Sequence, residues 1–135
     1  MAGLGLQRQA TFDEYISYAQ MPAFLGNLDI FVLPSSEEFV IAATEASAVG
    51  TPVVATRTGG TLEVVDGVTG ILVEPRNEQA LAAGIAALVE DGSLRERMGQ
   101  AGREYVLSRY RWEDNAAKMA KLYEDLLQRT RGKAL

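Results

Sequence analysis

The chain has no cysteine and no histidine among its 135 residues. The first absence excludes disulfides, thiolate nucleophiles and cysteine-based metal sites. The second removes the commonest general base and metal ligand. No apolar run approaches the roughly 18 residues needed to span a bilayer. The opening MAGLGLQRQA lacks the long apolar stretch of a secretory signal. A soluble, cytoplasmic protein is therefore expected. Cations are scarce at first: residues 1–94 carry three (Arg8, Arg57, Arg76) against twelve acids, a net of −9. Residues 95–135 carry ten against six, a net of +4. In that basic part acids and bases interleave at helical spacing, which reads as a solvated helix face rather than a nucleic-acid surface.

What is present suits one domain with a usable core. About half of the residues are apolar and a quarter charged, and there is no internal repeat. LDIFVLPSS at 28–36 contains a continuous apolar run, Ile30 to Leu33, ended by Pro34. A strand buried on both faces reads this way. TPVVAT at 51–56 and TGILVEP at 69–75 are bounded by glycine or proline and predict two more strands. QATFDEYIS at 9–17 alternates and predicts an edge strand.

Helical patterns lie between and after these runs. They cover 20–27, 40–49, 78–90, a segment beginning at Ser93, and about 113–130. Asn77 is a fitting N-cap for the third, with Gly92 its terminator. Ser93 to Glu96 has the form of a capping box. The expected inward faces are Ile41, Thr44, Ala48 and Val49, then Leu81, Ile85, Leu88 and Val89, then Leu94, Met98, Ala101, Tyr105 and Val106. Trp112 precedes the last helix, whose expected inward residues are Ala116, Met119, Tyr123, Leu126 and Leu127; this helix either packs on the domain or exposes Trp112, Met119 and Leu126, which a dimer interface would cover.

Strands alternating with helices predict a parallel, doubly wound α/β sheet of about four strands. Ligands of such sheets bind beyond the carboxyl ends of the strands, where helix N-termini point. Two turns would lie there: PSSEEF after Leu33 and RTGGTLE after Thr56. A helix N-terminus offers free N–H groups to phosphate. A carboxylate such as Glu45 or Glu37 can accept hydrogen bonds from the vicinal diol of a ribose or hexose. The plainer alternative is that both glutamates are only solvated, and that the Gly59-Gly60 pair only makes a turn.

The ordered set D-x-F-V-L-P-S, E-x7-E, E-A-x-A-x-G-T-P-V-V-A-T, G-G-x-x-E-V-V and D-G-x-T-G-x-L-V, followed by LRERMGQAGREYV and RYRWED, covers roughly residues 10–127. It resembles the C-terminal, donor-binding half of the group 1 retaining nucleotide-sugar glycosyltransferases of GT-B fold. The resemblance implies a partial Rossmann-like donor-binding domain over 1–135, truncated at its N-terminal side, with a C-terminal helix at about 113–130. It implies a nucleoside-diphosphate sugar as donor, no cofactor and no metal. It assigns Glu37, Phe39, Val40 and Ile41 to the donor sugar, and Ala42 and Glu45 to the nucleotide; Arg57 joins the nucleotide set from its place on the turn after Thr56, the plainer alternative being a solvated turn arginine. No residue is assigned a certain catalytic role; the resemblance implies that the donor's own phosphate assists attack by the acceptor hydroxyl in the retaining step.

Three departures from the family pattern stand out. The family commonly has E-G-F-G where this chain has Glu37-Glu38-Phe39-Val40. Glycine there permits close approach of backbone to ligand; Val40 and the added charge of Glu38 oppose it. The family's diphosphate-binding Arg and Lys come from a strand–helix unit that this chain lacks, leaving Arg57 as a weak substitute. The acceptor domain, with its catalytic histidine, is also lacking.

The chain is accordingly expected to be inactive alone. The alternative is a non-catalytic nucleotide-binding or assembly module on the same scaffold. An unrelated receiver-like regulator would need an acid cluster after the first strand and a lysine after the last, and neither is evident. An open sheet edge beside 28–34 is expected to be filled by the 9–17 strand, by a second copy or by the missing N-terminal domain. A peripheral membrane location is the alternative to the cytoplasm in the full-length family context. No nucleic-acid partner and no transmembrane segment are expected.

Overall fold

The computed structural model describes residues 5–6, 8–13, 15–35 and 41–131, apart from the side chain of Arg131. Its elements in chain order are α1 (Met21–Gly26), β1 (Phe31–Leu33), α2 (Ile41–Ala48), β2 (Val53–Thr56), α3 (Thr61–Val64), β3 (Gly70–Val73), α4 (Glu78–Glu90), α5 (Gly92–Arg109) and α6 (Trp112–Arg131). The three strands form one parallel sheet in the order β1-β2-β3. Phe31 pairs with Val53, and Val53 with Gly70.

The continuous apolar run of β2 has its expected reason. All four of its residues are buried, because helices cover both sides. Val53 and Ala55 face α1, α2, α3 and α5, in a core with Leu25, Ala43, Ala46, Val64, Val65 and Val106. Val54 faces α4, in a smaller core with Val73 and Leu88. The three residues of β1 are only half-buried. Phe31 N–H donates to the Pro52 carbonyl at 2.9 Å, which turns Phe31 and Leu33 toward β2. The backbone groups of Val32 point instead to the outer edge.

Helices α2 and α5 meet through small residues. Ala43, Ala46 and Ser47 are the buried positions of α2, and Gly99 and Gly102 are buried in α5. A Cβ on Gly102 would lie 3.5 Å from that of Ser47. Arg103 of α5 donates from Nη1 to the Ala48 carbonyl at 2.6 Å. It thereby supplies the cationic cap that α2 lacks in its own last turn. Thr51, buried before β2, donates to the Leu25 carbonyl at 2.7 Å and fastens α1 to the same unit.

Several expectations are corrected. Among the described residues 9–17 carry no strand, so the sheet has three strands rather than about four and that segment does not fill the β1 edge. The alternation is real, but Phe12 and Tyr15 are 73% and 83% exposed and have no strand to pair with. The cap of α5 is Asp91, whose Oδ1 accepts from Leu94 N–H at 2.9 Å. Gly92 opens α5 instead of closing α4. Asn77 does cap α4, accepting from Ala80 N–H. Ile41 and Val89 are 65% and 61% exposed: the small-residue seam turns α2, and Gly84 with Leu88 turns α4. On α6 no inward face forms: every residue from Trp112 to Thr130 is exposed, the second of the two outcomes expected for this helix.

Candidate functional site

Of the residues singled out in the sequence, Glu37, Glu38, Phe39 and Val40 lie outside the described residues. Ile41 and Ala42 form the first turn of α2 and are exposed. Glu45 follows one turn later, half-buried. No hydrogen bond or ion pair engages its carboxylate among the described residues. The Arg103 cap and the α2–α5 seam hold the helix that carries it.

Glu45 lines a cavity of about 180 Å³ between α1 and α2. Its other walls are Tyr18, Met21, Pro22, Leu25, Ala48 and Val49. Pro22 sits in the first turn of α1, where its missing N–H has no helical acceptor to lose. The wall is apolar apart from the Glu45 carboxylate and the Tyr18 phenol.

Arg57 follows β2 directly. Its Nε is 3.2 Å from Glu74 Oε1, and both side chains are largely exposed. It borders a second, more open depression with Leu62, Asp66 and the start of β3. Glu45 and Arg57 therefore line different cavities.

Between them, threonines tie the ends of β1 and β2 together. The hydroxyls of Thr56 and Thr58 donate to the Ser35 carbonyl. Buried Thr61 turns its hydroxyl toward the carbonyls of Thr56, at 2.6 Å, and Thr58. The same hydroxyl accepts from Thr58 N–H at 3.0 Å. The Gly59-Gly60 turn is thus held from below, with Gly59 at φ 37°. Two tyrosines of the α5 end fix α3: Tyr105 Oη donates to the Glu63 carbonyl at 2.8 Å, and Tyr110 Oη reaches it at 3.4 Å. Burial, with Tyr105 and Glu63 nearby, raises the Tyr110 phenol above its ordinary value.

In the next turn Asp66 Oδ1 accepts N–H bonds from Thr69 at 3.1 Å and Val68 at 3.0 Å. These bonds, that of Thr69 first, hold its carboxyl below the ordinary value. Among the described residues no group of acids is placed to hold a metal ion, and no helix is long and apolar enough to cross a membrane.

Sequence reasoning missed Tyr18, Met21 and Pro22 as neighbours of Glu45. A tyrosine immediately before a Met-Pro helix start was the available signal. It missed the threonine cluster as well, although Thr56, Thr58 and Thr61 flank the double glycine.

Residues 1–105 match the family model described as glycosyl transferases group 1, and the chain belongs to that family. It is 35% identical over 126 residues to a D-inositol 3-phosphate glycosyltransferase of Corynebacterium glutamicum, covering 92% of this chain and 30% of the relative. Among solved structures, a sucrose-phosphate synthase from Thermosynechococcus elongatus superposes with a TM-score of 0.89 at 33% identity, over 94% of this chain and 32% of that one. Anabaena HepE, solved in complex with UDP-glucose, superposes with a TM-score of 0.84 at 25% identity, over 92% of this chain and 34% of that one. The structural neighbours are GT-B glycosyltransferases, and the chain spans about a third of the length of these relatives.

Proposed function

We propose that this domain binds the donor of a retaining glycosyl transfer, a nucleoside-diphosphate sugar. Glu45 takes the ribose diol and Glu37 the donor sugar. The backbone amides of Phe39, Val40, Ile41 and Ala42 are the proposed donors to sugar and diphosphate, and Arg57, on the turn after β2, is the candidate cation. The observation that carries this reading is Glu45 itself: a half-buried carboxylate, free of partners among the described residues, one turn from the α2 N-terminus and facing a cavity. The likeness to a structure holding UDP-glucose supports it.

The parent reaction breaks the bond from the anomeric carbon to the diphosphate. The acceptor oxygen bonds to that carbon on the same face, and its proton passes to the departing phosphate. No metal takes part. The acceptor side of the cleft comes from outside these residues, either the N-terminal domain of a longer protein or a second copy across the β1 edge, so the domain by itself binds donor without turnover. The location that suits this reading is the cytoplasm or the membrane periphery.

Titration calorimetry with UDP, GDP and ADP and their glucose or mannose conjugates tests the reading. One of them binds, and Glu45→Gln weakens it by about five- to a hundredfold, as expected for loss of hydrogen bonds to a charged acceptor. No binding at millimolar ligand would overturn it. That result favours the second reading, an assembly module, for which the engagement of Arg57 by Glu74 is the supporting observation.

A further inference from the structure

We propose that α6 is a self-association helix. Its apolar stripe pairs with the α6 of a second copy of this chain, antiparallel, about a two-fold axis between Lys121 and Leu122. The pairing stands on α6 alone and does not depend on the donor-binding reading.

At about 100° per residue, Trp112, Met119, Leu122, Tyr123, Leu126 and Leu127 fall within an arc of about 140°, and every charged residue of the helix falls outside it. All six are exposed, Trp112 to 83%. Neither apolar core includes a residue of α6, so the stripe stabilises nothing within its own domain. Two aromatic side chains of roughly 150–250 Å² each, with Met119 and three leucines, form a patch of the size that marks an interaction site. Covering it on two copies buries on the order of 1,000 Å², the lower end of specific interfaces.

Charge decides what covers the stripe. Along α6 the charges come in blocks of alternating sign: Glu113 and Asp114, Lys118 and Lys121, Glu124 and Asp125, Arg129 and Arg131. Reversing the direction of such a series inverts every block. An antiparallel copy therefore sets acid against base along the whole length, and a parallel copy sets like against like. With the axis between Lys121 and Leu122, Lys118 lies across from Asp125, and Asp114 across from Arg129. These four share the Leu122 flank of the stripe, and the two-fold axis brings that flank of one helix to the same flank of the other. Leu127 meets Ala116, a large side chain against a small one. Asp114 and Lys118 stand four apart on one helix, as do Asp125 and Arg129, yet none of the four has an ion pair among the described residues.

The rest of the chain favours the same direction. Residues 1–94 carry a net −9 and join α6 at its N-terminal end through α5. A parallel pair would crowd two such acidic bodies together. The antiparallel pair holds them at opposite ends of a 20-residue helix roughly 30 Å long. A lipid surface is a poorer occupant: four acids balance four bases on the polar face, whereas helices that lie on membranes favour Lys and Arg there.

Sedimentation equilibrium of the full chain from about 5 µM to about 1 mM tests the pairing, and a dimer should build up over that range. Met119→Gln with Leu126→Gln should abolish it. At the dilute end, where the parent too is monomeric, that variant should melt at the parent temperature. A lower melting temperature there would mean that the stripe packs on its own domain, and would overturn the inference. Lys118→Glu turns two symmetric contacts repulsive and should weaken the dimer about three- to thirtyfold. Adding Asp125→Lys to it should restore affinity to within about threefold of the parent. Equal dimerisation by the parent, the single variant and the double variant would refute the antiparallel register. The chain has no cysteine, so introduced thiols report on direction. Ala116→Cys mixed with Leu127→Cys should cross-link on oxidation, and Thr130→Cys alone should not. A cross-link through Thr130→Cys would show a parallel pair, and a monomer at the highest concentration would show no pair; either result overturns the inference.

Discussion

Gly99 of α5 lies directly against the carbonyl oxygen of Gly50, in the turn that links α2 to β2. A Cβ on Gly99 would fall inside the contact distance of that oxygen, and backbone atoms there have nowhere to retreat. Gly99→Ala should cost about 1–3 kcal/mol, the usual penalty of overpacking. Gly92→Ala in the same helix is the control. Its Cβ would meet only the end of Arg95 at 3.8 Å, so the change should be neutral or stabilise by up to about 1 kcal/mol. Urea unfolding of the pair measures both; equal stabilities would contradict the close α2–α5 approach.

The hydroxyl of Thr61 is 1% exposed as a residue and serves Thr56, Thr58 and the turn between them. Thr61→Val keeps the shape and removes the hydroxyl's bonds, leaving Thr58 N–H with the Thr56 carbonyl alone at 2.9 Å. A loss of about 0.5–1.5 kcal/mol is expected. Because the Gly59-Gly60 turn rests on this hydroxyl, hydrogen exchange at Thr58 should also quicken. Unchanged exchange there would show that the turn does not depend on it.

Asp66 predicts an acid limb. Its folded carboxyl titrates below the ordinary value of 3.8, so it stabilises the fold at pH values above that value. The contribution fades as pH falls through 3.8 and is gone below the lowered folded value. Asp66→Asn keeps an acceptor for Val68 and Thr69 and removes the titration. The variant should therefore lose less stability than the parent between pH 5 and 2, in an estimate of roughly that range from the linkage relation. Parallel acid-melting curves with the same slope would refute the assignment.

On α6, Met119, Tyr123, Leu126 and Leu127 are 49%, 60%, 48% and 60% exposed. Replacing Met119 and Leu126 with glutamine should change the stability of the isolated domain by less than about 0.5 kcal/mol each. A loss above about 2 kcal/mol would mean that this face packs on the domain in solution. Light scattering on the same samples reports whether it joins two copies.

The strands and helices were legible where local pattern and burial coincide. β2 reads as a two-sided strand because it is one, and Asn77 caps α4 because its side chain reaches Ala80. The E-x7-E spacing singled out a pair of carboxylates, of which Glu45 lies among the described residues, half-buried beside a cavity. The failures have physical causes. Alternation in 9–17 carried no information about a pairing partner. Amphipathicity in α6 states that a face suits cover, not what covers it. The inward face of α2 was misjudged because side-chain size suggested Ile41, whereas helix–helix distance selected alanine and serine. Tyr18 escaped notice because exposure of an aromatic ring is a tertiary property.

The half-covered strand β1 carries a reporter for whatever completes this sheet. Phe31 N–H is already bonded to Pro52, and the Val32 N–H on the opposite edge has no partner among the described residues. Amide exchange along β1 should therefore alternate, slow at Phe31 and fast at Val32. A segment added along that edge would slow Val32 and leave Phe31 as it was. One amide thus distinguishes a sheet extended by hydrogen bonds from a neighbour that merely rests on its face.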